Sequence, residues 1–278
     1  FFRHLLGLGP YSIRAPLFAE LGLVPICYRR LILAIRYLGY LISLAASHYA
    51  RAALEDLFLL FCAGQQGYWM DLHCALHGLP FPDTLPPLTA LTLESCTALG
   101  KAVYTSAMKF LDSKVENSAR LYLLHDRCEP LEDEAPRKIT VVLRHYLDLV
   151  VNAKHRKALT RLLVSQHPLA VERMRYKQRY HRENVPRHRR LCRFGCGMVE
   201  TVEHVLFFCT GAVELTECRG MFFDTMRDRD PRILTATPDN GTEILQALIF
   251  RRDTVCQIAK LAHKIFAIFG EEPMVWPA

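Results

Sequence analysis

Four side chains with metal-ligand chemistry fall close together in the stretch RLCRFGCGMVETVEHVLFFC: Cys192, Cys196, His204 and Cys209. Their spacing is Cys-x3-Cys-x7-His-x4-Cys. Structural zinc sites take four soft or borderline ligands in a tetrahedron, and Cys3His is one standard set. The residues between the ligands suit that task. Gly195 and Gly197 flank Cys196, and glycine permits the left-handed turn that folds a short loop around an ion. Thr201 reads as the N-cap of a short helix, TVEHVLFFC, with His204 in its first turn and Cys209 near its end. Those two positions are five apart, off a single face of an ideal helix. The helix must therefore end or unwind before Cys209 for both to reach one ion. Four protein ligands leave no open coordination position, so Zn2+ here would be structural and would not activate water. Cys218, further along, is an alternative fourth ligand.

The charge of the chain is focused beside this cluster. The chain has 278 residues, 51% of them hydrophobic, and a formal net charge of +7. Between Lys154 and Arg193 lie 13 Lys/Arg and two acids, Glu172 and Glu183, a local net of +11. The remainder carries 22 bases and 26 acids, a net of −4. A basic segment so localised points to a polyanionic partner, here nucleic acid, RNA or DNA. Its cations, Arg173, Arg175, Lys177, Arg179, Arg182, Arg187, Arg189, Arg190 and Arg193, are the expected phosphate contacts, and Tyr176, Tyr180 and Phe194 are interleaved with them as stacking surfaces. For Phe194 a lid over the metal loop is the alternative.

The elements that must position these residues read as helical nearly throughout. Pro25 opens a helix to about Ala45. A second begins after Ser47 and stops at Gly64, and YWMDLHCALHG ends at Gly78. Four prolines between Pro80 and Pro87 break the chain. Helical patterns resume over Leu93–Leu111, Ser118–His125 and Ile139–Ser165, then over Glu214–Arg227 and Glu243–Phe269, the last with a possible break near Arg251. The acids Glu129, Glu132, Asp133 and Glu134 read as a solvated linker. The expected fold is mainly α: a helical bundle-like part over residues 1–134, then over 135–278 the basic segment, a small Cys3His knuckle and C-terminal helices. The apolar stretch Leu31–Ala45 contains Arg36 and is short for a bilayer, so it reads as a core helix and no membrane is implied. The sparse cysteines argue for reduced thiols in an intracellular protein, in nucleus or cytoplasm. Cys27, Cys62, Cys74, Cys96, Cys128 and Cys218 read as buried small hydrophobes.

The basic stretch and knuckle together resemble the zinc-binding region at the C-terminus of LINE-type, non-LTR retrotransposon reverse transcriptases. The resemblance rests on Val185-Pro186-Arg187, Arg190-Leu191-Cys192, Cys196, Glu203-His204, Leu206-Phe207 and Cys209, and covers about fifty residues. Many relatives place two residues between the first two cysteines, where this chain has three, Arg193, Phe194 and Gly195. The segment GLVPICYRRLILAIRYLGYLISLAASHYARAAL also resembles, less specifically, the helical region after the polymerase in such elements. The resemblance implies a nucleic-acid-binding module of an RNA-directed DNA polymerase.

Polymerase chemistry itself is not expected of this chain. Two-metal catalysis needs paired carboxylates, and no Asp-Asp pair occurs in the sequence. Nor is there a P-loop, G-x-G-x-x-G, G-x-S-x-G or H-E-x-x-H. No enzyme activity and no small-molecule substrate are expected. The chain starts at Phe1, not Met, and reads as a fragment or processed product. The alternative function is a helical interaction module in which the metal only staples helices together.

Overall fold

A computed structural model describes residues 1–132, 134–175 and 184–277. Among them the helices are α1 (Phe2–Leu5), α2 (Ala15–Glu20), α3 (Ile26–Ser43), α4 (Tyr49–Cys62), α5 (Tyr68–His77), α6 (Leu93–Glu116), α7 (His145–Leu149), α8 (Ala153–Leu163), α9 (Ala170–Arg173), α10 (Val213–Met226), α11 (Gly241–Ile249) and α12 (Val255–Glu271). Short 3-10 turns connect several of them, and the described residues contain no strand beyond two isolated antiparallel bridges. The fold is mainly α, as the patterning predicts.

Contacts divide the chain into two units: Phe18–Asn117 with Thr140–Val142, and Phe1–Leu17 with Ser118–Ile139 and Leu143–Ala278. This differs from the sequence-based division at 134/135, because the first residues and those after 117 fold with the C-terminal part. Long-range contacts that no local pattern announces hold them there. The Gly9 backbone N–H donates to Gln166 Oε1 at 2.7 Å. Glu129, expected in a solvated linker, is instead buried. It accepts from the His145 backbone N–H at 2.7 Å and lies 3.2 Å from an Arg144 guanidinium nitrogen and 3.6 Å from one of Arg127. Burial alone would raise its pKa, but the His145 hydrogen bonds and the Arg127 charge outweigh that and hold it down at about 2.

In the first unit, Tyr28, Leu31, Ile35 and Leu38 form the buried stripe of α3 and meet Cys96, Leu99, Val103 and Ala107 of α6. Their three- and four-residue spacing is the period of one helix face. A Cβ at Gly39 would lie 3.2 Å from Leu93 Cδ1 and 3.3 Å from Cys96 Cβ, so glycine sets how closely α3 and α6 approach. Thr92 and Ser95 form a reciprocal capping box at the start of α6. The Leu31–Ala45 stretch thus lies mostly in a core helix, and no helix among the described residues is long and apolar enough to cross a membrane.

The second unit is built around α12, whose Val255, Ile258, Ala259, Ala262, Ile265 and Phe269 are buried. α8 and α10 pack against it. The expected helix over 139–165 is broken into α7 and α8. Asn152 accepts from the N–H groups of Lys154 and His155, and this side-chain cap starts a new helix where the pattern reads as continuous. Of the cysteines expected to be buried, only Cys96 is; Cys27, Cys62 and Cys74 are exposed, and Cys128 and Cys218 partly so. A periodic apolar context places a thiol on a helix but does not fix which face it occupies.

Candidate metal centre

The site begins with a tight loop. Leu191 and Val199 form an antiparallel bridge, the Cys192 N–H donates to Met198 O at 2.8 Å, and the Glu200 N–H donates to Arg190 O at 2.9 Å. The loop closes because Gly195 and Gly197 take φ of +71° and +75°, a conformation costly for residues with a Cβ. Cys192 and Cys196 are presented from this loop.

The other two ligands come from the segment after it. Thr201 accepts from the His204 N–H at 3.2 Å through its hydroxyl. His204–Phe208 is a single π turn, closed by the Cys209 N–H on His204 O at 2.7 Å. The wider turn resolves the five-residue separation. An i→i+5 hydrogen bond brings residues 204 and 209 into register, which an α turn would not do. Cys209 itself is already extended, with φ −61° and ψ 123°.

The four ligand atoms lie within 4.8 Å of one another, a group able to hold one metal ion. The Cys192 and Cys209 sulfurs are 3.6 Å apart, and Cys196 Sγ is 3.1 Å from His204 Nε2. Cys192, His204 and Cys209 are buried and Cys196 is partly exposed. Hydrogen bonding from Cys192 favours the Cys209 thiolate and lowers its pKa, while the same bond and burial push the Cys192 thiol up.

Three side chains fix the ligand loop to the unit around it. Glu200, fully buried, accepts from the Ala170 N–H at 2.6 Å, the Arg193 N–H at 2.9 Å, and Arg193 Nε and Nη2 at 3.1 and 2.8 Å. Arg219 of α10 donates to Leu206 O at 3.2 Å and also to Cys209 O. Glu203 Oε1 accepts from the Tyr122 and Thr242 hydroxyls, each at 2.9 Å. Sequence reading missed the roles of Glu200 and Arg219.

The expected nucleic-acid contacts separate into three groups. Tyr176, Lys177, Arg179 and Arg182 lie outside the described residues, as does Tyr180. Arg173, Arg187 and Arg189 are exposed, and Arg175 is half-buried with Nε 3.4 Å from Glu172. Arg190 and Arg193 must be withdrawn from the phosphate-contact set. Arg190 is buried and donates to Val185 O at 2.8 Å and Val171 O at 2.5 Å. The Arg193 side chain is 3% exposed and, besides Glu200, donates to the backbone oxygens of Phe269, Pro168 and Glu272. Phe194 packs edge-on against Phe269, with ring centroids 4.9 Å apart, in place of an open stacking surface. No family model, curated protein or solved structure matches this chain.

Proposed function

We propose that this chain is the zinc-binding, nucleic-acid-binding C-terminal module of a retrotransposon-type reverse transcriptase, without polymerase residues of its own. The convergence of Cys192, Cys196, His204 and Cys209 within 4.8 Å carries the reading. A tetrahedral zinc with Zn–S of about 2.3 Å and Zn–N of about 2.0 Å has S–S edges near 3.8 Å and S–N edges near 3.5 Å. The 3.6 and 3.1 Å separations are close to those edges. Three thiols and one imidazole are also the donor set zinc favours over the harder cations. Zinc bound there would lock the loop and stabilise the fold around it.

The binding surface in this reading is the 3-10 turn Arg187–Arg189, which adjoins the metal loop in sequence, together with Arg173 and Arg175; the expected contacts Lys177, Arg179 and Arg182 lie outside the described residues. Guanidiniums on phosphates release condensed counterions, which supplies affinity without sequence preference. If about five cations contact a single strand, log K falls with log salt at a slope near −3.5. The test is fluorescence anisotropy of the zinc-loaded chain with single-stranded RNA and DNA across a salt series. A slope near zero removes the nucleic-acid reading.

The buried, internally paired Arg190 and Arg193 favour a second reading, in which the metal only staples an interaction module. In that case zinc removal unfolds the unit, but charge reversal at Arg187 and Arg189 leaves its partner binding intact.

A further inference from the structure

Beside the metal loop lies a cavity of about 650 Å³, bordered by the 3-10 turn Ala119–Leu124, by His167 and Glu172, and by Cys196–His204. Arg120, Arg175 and Arg187 line it. A second cavity of about 590 Å³ shares Arg120, Ser165, His167 and Glu172 with it and adds Arg161 and Arg173. The two cavities are thus lined by five arginines against two carboxylates, Glu172 and Glu203. Neither carboxylate faces this cationic excess alone. Glu172 Oε1 is 2.5 Å from Arg120 and its Oε2 is 3.4 Å from Arg175, while Glu203 already accepts from Tyr122 and Thr242.

A second, independent observation points to a ligand. His167 is 2% exposed, lines both cavities, and its Nδ1 has no hydrogen-bond partner among the described residues. Buried polar atoms are nearly always paired, so an isolated one on a cavity wall marks a position for an incoming group. Burial and the neighbouring Arg161, Arg120 and Arg175 hold its pKa down to about 3, so the imidazole is neutral and can donate a hydrogen bond without adding charge. The wall also has apolar surface, from Val199, Val202, Phe208 and Pro238.

We propose that this cavity binds a nucleoside phosphate, its phosphoryl oxygens taken by Arg120, Arg175, Arg187 and His167 and its base by the apolar wall. Arginine forks match phosphate geometry, and cavities of roughly 300–1,000 Å³ are the usual size for ligands of this class. The same chemistry is offered by a free mononucleotide and by the phosphorylated end of a strand. Only the strand form rests on the nucleic-acid reading above.

The test is titration calorimetry on the zinc-loaded full chain with adenosine monophosphate, and with adenosine as control. Saturable one-to-one binding of the monophosphate, with none for adenosine, is expected. The double variant Arg175→Gln/Arg187→Gln should weaken it about tenfold or more. Both side chains are partly or fully exposed, so the variant should melt like the parent. Arg227→Gln, at an exposed arginine outside both cavity linings, should leave the affinity unchanged. Competition by a strand with a terminal phosphate, but not by its unphosphorylated twin, would identify the strand end as the source. Absence of competition would identify the free nucleotide. The proposal is overturned if the monophosphate shows no saturable binding, if adenosine binds as well, or if the double variant binds like the parent. Monophosphate binding alongside a flat salt slope would refute the nucleic-acid module and leave the cavity assignment standing.

Discussion

Arg193→Lys separates a phosphate contact from an internal strut. In the native chain the Arg193 guanidinium donates twice to Glu200, at 3.1 and 2.8 Å, and reaches the backbone oxygens of Pro168 at 3.0 Å, Glu272 at 2.8 Å and Phe269. It also sits 5.2 Å from the Phe269 ring centroid. Lysine keeps the charge but offers a point ammonium in place of the planar fork, so it cannot serve Glu200 and three carbonyls at once. Breaking one side of a buried pair costs about 3–5 kcal/mol. Lysine would retain part of the attraction to Glu200, which leaves a loss of about 2–4 kcal/mol. For a unit of this size that lowers the melting temperature by roughly 10 °C. The assay is thermal melting of the zinc-loaded chain, with amide hydrogen exchange localising faster opening to residues 190–209 and to the start of α9. The salt slope of strand binding by the surviving folded fraction should not change. A variant that melts within about 0.5 kcal/mol of the parent yet binds a strand more weakly would refute the strut and restore Arg193 to the binding surface.

Glu129, held at about 2 against an ordinary 4.5, contributes stability that is full above about pH 4.5 and is lost as pH falls toward 2. After allowance for screening this is roughly 2 kcal/mol, and denaturant midpoints of Glu129→Gln should show a flatter dependence between neutral and acid pH than the parent. Removing the metal with a chelator should open the 192–209 loop and leave the α3–α6 core folded, as read by exchange protection at Ile35 and Val103; equal loss of protection in both regions would contradict the division into two units. Arg187→Gln and Arg189→Gln should each reduce the single-strand salt slope by about 0.7 with little change in melting temperature, because both side chains are exposed. An unchanged slope in both variants would exclude this turn from the interface.

The sequence by itself determined the chemistry of the ligand set, the mainly α class and most helix limits, because each depends on residue type and local spacing. Gly195 and Gly197 act within a few residues of themselves, whereas the Asn152 cap splits a stretch that reads as one helix. It also required that the helix unwind before Cys209, since five residues do not match an α turn, although the π turn that does so became visible only in the backbone. Tertiary structure alone decided which charges face water. Glu129 and Glu132 read alike in sequence, yet Glu129 is buried among Arg127, Arg144 and His145 while Glu132 is exposed and pairs with Arg252. Arg187 and Arg190 stand three residues apart in one basic run, and one is exposed while the other holds the Val171 and Val185 carbonyls. A charged side chain is buried only where partners distant in sequence converge to offset its desolvation, and linear spacing carries no record of that convergence.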